Sequence, residues 1–245
     1  MRAGAGLVTL GIPKSLNNAI IKIKPKEVMT LPLSETKEVT LSLGAYKKIK
    51  DFIKQIDVLV VGPGLGRNKS TQGLVRKIVA QTAKPMVIDA DGLNALSGHL
   101  NILLSTMDYR LSTIMTPHPG EMARLLGISI DKVQKSRKEM AKKFAKDYKV
   151  TLVLKGHNTV VADYQGNCYV NKTGNPGMAT AGCGDVLTGM TAAFLGQGLD
   201  AFSASKYAVY LHGLAGDLVA KEKTQISLIA SDIIAKIPEA IKKSS

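Results

Sequence analysis

The sequence predicts an α/β fold: a mostly parallel central sheet flanked by helices. Two observations carry this. Short β-branched runs alternate with longer segments of helical period through most of the chain, the signature of strand–helix–strand units. The early runs are also apolar almost throughout, as Val58–Val61 is, and such strands are covered on both faces. The scale agrees, because 245 residues, 45% of them hydrophobic and 21% charged, suffice for one sizeable core.

Taken in order, the chain opens on Arg2-Ala3-Gly4-Ala5-Gly6, which reads as the end of a helix and its glycine turn. A strand over Leu7–Leu10 follows directly, although a compact α/β domain would normally place a strand and helix before such a turn. Further strands are expected at Val58–Val61, Met86–Asp89, Thr113–Thr116 and Thr151–Leu154. Helical period occupies Thr71–Gln81, Gly120–Leu126 and Lys132–Tyr148. Thr159–Ala162 and Cys168–Val170, joined by Asp163-Tyr164-Gln165-Gly166-Asn167, read as a hairpin. From Gly184 onward the pattern is helical, with Val186, Leu187, Met190, Ala193 and Phe194 on one face. No repeat, low-complexity tract or linker divides the chain, so residues 1–245 are expected to form a single domain.

The net charge of +14 raises the question of nucleic acid. Much of the excess lies in Ser136–Lys149, where Met140, Ala141, Phe144, Ala145 and Tyr148 form an apolar stripe. Lys138, Lys142, Lys143 and Lys146 fall mostly outside it, as on a solvated helix face. Aromatics are 4% with no Trp, so stacking platforms are scarce and no nucleic-acid partner is expected. No apolar run approaches the roughly 18–20 residues that span a bilayer, and the first residues lack a signal peptide's apolar stretch. Cys168 and Cys183 lack metal-ligand spacing, and a reducing cytoplasm is the default.

Ligands of α/β sheets bind beyond the carboxyl ends of the strands, so the segments after each strand hold the chemistry. Gly62-Pro63-Gly64-Leu65-Gly66-Arg67 can bring backbone N–H groups close to a ligand, or simply turn. In Asp89-Ala90-Asp91, two carboxylates could face a hydrated Mg²⁺; alternatively Asp91 caps the short helix that follows. In Pro117-His118-Pro119-Gly120-Glu121, flanking prolines hold His118 for a ligand contact. Glu121 falls in the first helical turn, where it favours the dipole, and with Asp89 it is a candidate metal ligand. Lys155-Gly156-His157-Asn158-Thr159 suits the phosphates or ribose of a nucleotide, or forms an exposed turn.

The strongest local signal is the small-residue run Gly174 to Asp185, which leads into an amphipathic helix. Free N–H groups and the dipole there make an anion hole. Asp185 at that N-terminus can cap the helix, or take a proton from an attacking hydroxyl beside a bound phosphate. No Walker spacing is present. Cys183 reads as a small loop residue and not a nucleophile, since no His or acid adjoins it. His212 reads as a packed, hydrogen-bonded histidine in an apolar helix.

These segments form an ordered set: VGPGLG (Val61 to Gly66), DADGLNAL (Asp89 to Leu96), TPHPGE (Thr116 to Glu121) and LKGHNTVV (Leu154 to Val161). GNPGMATAGCGDVLTG (Gly174 to Gly189), YLHGLAGDL (Tyr210 to Leu218) and ASD (Ala230 to Asp232) complete it. In this order, over essentially the whole chain, the set resembles the ADP/ATP-dependent NAD(P)H-hydrate dehydratases of the ribokinase-like superfamily. The resemblance implies a three-layer α/β/α fold and repair of the S epimer of NADHX or NADPHX. ATP or ADP phosphorylates the ring hydroxyl, and phosphate then leaves to restore the double bond. It implies that Asp185 activates the hydroxyl, while Gly184 and the preceding Gly182 and Cys183 hold the phosphate. Lys155, Gly156, His157, Asn158 and Thr159 hold the nucleotide, Gly64 and His118 contact the hydrated dinucleotide, and Mg²⁺ accompanies the nucleotide. It further implies a homo-oligomer, often a tetramer. The departure is at the start, where family members carry about 30 further residues, one strand–loop–helix unit. Without that unit the sheet is expected to show unpaired edges. A ribokinase-like small-molecule kinase and a non-catalytic nucleotide-binding protein are the alternatives.

Overall fold

Alternation along the strands sorts the interior into two halves. In the computed structural model, which describes residues 1–104 and 112–244, Met86 and Ile88 face one half and Val87 the other. Met115 opposes Ile114, and Leu152 and Leu154 oppose Val153, in the same way. These residues lie on β4 (Met86–Ile88), β5 (Thr113–Met115) and β6 (Thr151–Leu154). With β3 (Leu59–Val61), β7 (Val160–Ala162) and β8 (Cys168–Val170) they form a six-stranded sheet in the order β3-β4-β5-β6-β7-β8. The first four strands run parallel, and the β7–β8 hairpin adds antiparallel.

One face is covered by α2 (Tyr46–Ile53), α3 (Lys69–Gln81), α4 (Asp91–Leu96), α5 (Pro119–Leu126), α6 (Ile130–Lys135) and α7 (Arg137–Tyr148). The other is covered by α8 (Cys183–Gly196), α9 (Ala201–Glu222) and α10 (Ala230–Ser244). The expected three layers are therefore present. Of the predicted stripe, Ala141, Phe144 and Ala145 are buried, and Met140 and Tyr148 are half-buried against the same core. No helix among the described residues is long and apolar enough to cross a membrane.

Several boundaries differ from expectation for local reasons. The helix expected over Lys132–Tyr148 is two helices, broken at Ser136, whose φ of −138° and ψ of 41° leave the helical region. The strand expected at Leu7–Leu10 is β1, Val8–Pro13. A strand not expected at all, β2 (Val28–Leu33), pairs with it in parallel through α1 (Asn17–Ile23). Pro32 masks β2 in sequence, because a proline argues against a strand unless it lies at an edge. β1 and β2 form their own two-stranded sheet. Among the described residues, neither the outer edge of β1 nor that of β3 has a strand partner. Leu7, Leu10, Met29 and Val60 are exposed in this region.

Candidate active site

The carboxyl ends of β3 to β6 present four loops, and the N-terminus of α8 meets them there. The close approach starts at Gly62. A Cβ at this position would sit 1.7 Å from the Asp89 carbonyl oxygen, so only glycine lets the two strand ends touch. Asp91 does not cap α4 as expected. Ala90 occupies the cap position, at φ 48°, and Asp91 Oδ2 accepts from the Gly66 N–H at 2.9 Å instead. Asp91 thus pins the glycine loop that contains Gly64, a position with φ 72° and open space beside it.

Asp89 is 1% exposed and fully engaged. Its Oδ1 accepts from Lys155 Nζ at 2.7 Å, and its Oδ2 accepts from the Thr188 hydroxyl at 2.7 Å. Lys155 Nζ also lies 3.8 Å from Glu121 Oε2. Glu121, 7% exposed, accepts from the His118 main-chain N–H at 2.8 Å. In return His118 Nδ1 accepts from the N–H groups of Gly120 and Glu121, at 3.0 and 3.3 Å. This reciprocal capping box starts α5. Because Nδ1 accepts, the neutral ring carries its proton on Nε2, and half of the side chain stays open to solvent.

Helix α8 begins without a side-chain cap, behind Gly182 at φ 84°. The Cys183 N–H makes a long bond to the Thr180 carbonyl, at 3.4 Å, and that of Gly184 has no main-chain acceptor among the described residues. A Cβ on Gly184 would lie 3.4 Å from Lys155 Nζ and 3.9 Å from Asp89 Oδ2, so the ammonium stands against this first turn. Asp185 sits in the same turn. Burial, and then the negative charge of Asp89, hold its carboxyl above the ordinary aspartate range, while Lys155 pulls the other way. Cys183 is the first residue of the helix and not part of the loop. It is buried, and burial pushes its thiol up, the opposite of an activated nucleophile.

The run Gly174 to Met178 is held on α9. Asp217 accepts from the Gly174 N–H at 2.8 Å and from Asn175 Nδ2 at 3.0 Å. Gly213 and Gly216 let the run lie flat, since a Cβ would meet Thr173 Oγ1 at 2.2 Å or Met178 Sδ at 2.3 Å. Next to them His212 is buried, and burial depresses its imidazole to about 4. The hydrogen bonding expected of it is incomplete: it contacts the Cys183 main chain, but Nε2 has no partner among the described residues.

The loop expected to bind nucleotide is divided. The Lys155 side chain turns inward to Asp89, while Gly156, His157, Asn158 and Thr159 form the rim. Arg137 braces this rim from below. Its Nη2 donates to the carbonyls of Leu154 at 2.9 Å and Lys155 at 3.1 Å, and its Nη1 donates to that of His157. Gly156, at φ 135°, lies over the guanidinium, which a Cβ would approach to 3.1 Å. Arg137, Thr188 and Asp217 are the structural contributors that sequence reasoning missed. Thr188 and Asp217 lie inside motifs of the ordered set, GNPGMATAGCGDVLTG and YLHGLAGDL; Arg137 carries no signal beyond its residue type.

Asp89 and Glu121, the candidate metal ligands, are both held by protein donors. Among the described residues no group of three or more His, Cys, Asp or Glu could hold a metal ion. Both Asp89 oxygens are taken, and an ammonium stands between the two carboxylates. The donors present do not fit a resident Mg²⁺, which needs near-octahedral oxygen ligation.

A three-layer α/β/α fold with an uncapped glycine-rich helix start beside a raised aspartate defines a ribokinase-like protein. The model of the NAD(P)H-hydrate dehydratase family matches residues 1–239. The chain belongs to that family. It is 43% identical over 242 residues to the bifunctional NAD(P)H-hydrate repair enzyme of Moorella thermoacetica, covering 99% of this chain and 45% of that protein. It thus spans about half the length of the bifunctional relatives it matches. It is 31% identical over 238 residues to the ADP-dependent (S)-NAD(P)H-hydrate dehydratase of Xanthomonas campestris, covering 97% and 79%. Among solved structures it resembles the ADP/ATP-dependent NAD(P)H-hydrate dehydratase of Bacillus subtilis co-crystallized with ATP/Mg²⁺. That match has a TM-score of 0.81 at 30% identity and covers 100% of this chain and 82% of the other.

Proposed function

We propose that the chain dehydrates the S epimer of NADHX or NADPHX at the expense of ATP or ADP, returning NADH or NADPH. The observation that carries this is Asp185: a carboxylate with a raised pKa in the first turn of an uncapped helix, beside a fixed ammonium. In this reading Asp185 takes the proton of the ring hydroxyl, whose oxygen attacks the terminal phosphorus of the nucleotide. The shortened nucleotide leaves. The new C–O–P ester then loses phosphate by C–O cleavage, and loss of a proton from the neighbouring ring carbon restores the double bond.

The turn of Gly182, Cys183 and Gly184 surrounds the phosphate in flight, the Cys183 N–H leaving its long 3.4 Å bond to the Thr180 carbonyl to do so. The rim of Gly156, His157, Asn158 and Thr159 takes the nucleotide. Gly64 and the solvent-facing half of His118 take the hydrated dinucleotide. Magnesium enters as the cation of the nucleotide's own phosphates. A homo-oligomer working in the cytoplasm completes the reading, supported by the family resemblance.

The test is to incubate the protein with NADHX and either nucleotide, following NADH and free phosphate together. Both should appear in equal amounts. A stable phosphoester with no NADH would mean a small-molecule kinase, and nucleotide binding without product would mean a non-catalytic protein.

A further inference from the structure

We infer that Lys155 is the resident cation of the Asp89–Glu121 acid pair, and that this pair accepts a divalent ion only when the lysine side chain is removed. The pair is nearly dry, with Asp89 1% and Glu121 7% exposed. Two carboxylates so buried need a positive charge within reach. The Lys155 ammonium is 2.7 Å from one and 3.8 Å from the other.

Other protein groups stand on the same carboxylates. Thr188 donates to Asp89 Oδ2, the His118 N–H donates to Glu121 Oε2, and His118 Nε2 lies 3.5 Å from Glu121 Oε1. A divalent ion would have to displace Nζ and strip at least one of these bonds, while keeping its own waters in a space that holds an ammonium.

The lysine is fixed from behind. Its main-chain N–H donates to the Pro117 carbonyl at 2.9 Å, tying the end of β6 to that of β5, just before the helix that carries Glu121. Ahead of it stands Gly184, so that the ammonium lies against the first turn of α8. The chain therefore carries its own unit charge at the first turn of α8, added to the partial positive charge of the helix end. This charge is present before any nucleotide or metal arrives. The inference concerns the free protein and stands whether or not the proposed reaction is correct.

The test uses Mn²⁺ as the probe and electron paramagnetic resonance of free Mn²⁺ as the readout, with no nucleotide present. Wild-type protein should show no saturable site that Asp89→Asn removes. Lys155→Met should gain one site, at least about tenfold tighter than any wild-type binding, because the competing charge is gone. Glu121→Gln added to Lys155→Met should lose it, and Lys155→Arg should not gain it. Circular dichroism checks that each variant is folded. A wild-type site abolished by Asp89→Asn would overturn the inference, and so would a folded Lys155→Met protein without a new site. If Lys155→Met does not fold, the comparison of wild type with Asp89→Asn still decides whether the pair holds a metal beside the lysine.

Discussion

Thr188 donates its hydroxyl to Asp89 Oδ2 at 2.7 Å, joining the second turn of α8 to the end of β4. Both residues are buried. Replacing the hydroxyl by a methyl leaves a dry carboxylate oxygen without its donor. Thr188→Val should therefore cost about 1–3 kcal/mol of stability, read as a lower urea midpoint, and Thr188→Ser should recover most of it.

A second expectation concerns the acid side of the pH–rate profile. Asp185 must be ionised to act as a base, and burial and Asp89 raise its pKa. The acid limb of kcat/KM should lie above that of an ordinary aspartate. Asp89→Asn removes a repelling charge and should move the limb to lower pH. Lys155→Met removes an attracting one and should move it to higher pH. A limb that neither substitution moves would remove Asp185 from the role of base. Asp185→Asn should lower turnover by about 10²–10⁴ with nucleotide affinity largely kept, measured by steady-state kinetics and calorimetry.

His212 makes the fold sensitive to acid. Its folded pKa is about 4, below the roughly 6.5 of an unfolded histidine. The unfolded chain therefore binds the extra proton first. The contribution is complete above about pH 6.5 and is lost as the pH falls towards about 4, on the order of 3 kcal/mol in all. Urea unfolding at near-neutral and mildly acid pH should show this slope, and His212→Leu should flatten it.

Arg137 donates to the carbonyls of Leu154, Lys155 and His157, bracing the rim proposed to take the nucleotide. Arg137→Gln should raise KM for ATP or ADP by more than it lowers kcat, leaving KM for the hydrated dinucleotide near its normal value. A lysine cannot reproduce the planar fork, so Arg137→Lys should rescue only in part. Equal changes in both KM values would make Arg137 a general stabiliser.

Gly213 tests the floor of the small-residue run. The added methyl of Gly213→Ala would meet Thr173 at 2.2 Å. Displacing that run should cost about 1–3 kcal/mol and reduce turnover further than the loss of folded protein explains. Thermal melting with activity measured well below the midpoint separates the two.

The sequence made the sheet legible because its signals are local. Alternation and composition place β3 to β8 to within a residue or so, and the glycines and prolines mark each loop. Contacts between distant segments are a different matter. Nothing around Thr188 announces that it faces Asp89, and nothing around Arg137 announces three carbonyls. His118 was noticed as a rigid histidine, but its reciprocal bonding with Glu121 emerged only with the backbone. The residue type marks Lys155 as a cation at a strand end, but its inward turn depends on buried carboxylates contributed by two other strand ends. Ser136 and Pro32 mark the opposite failure, where one backbone detail outweighs a good periodic pattern or hides a real strand.

The bonds that converge on Asp89 join residues 66 and 99 positions apart in the chain. Each such closure carries an entropic cost that short-range structure does not, and contacts of this range slow folding. Helices α3, α7 and α9 can return on dilution from denaturant before the acid pair finds its lysine. Catalytic competence then becomes the last property the chain recovers. Regain of turnover should lag regain of far-ultraviolet ellipticity, and the length of that lag times the assembly of the carboxyl edge of the sheet.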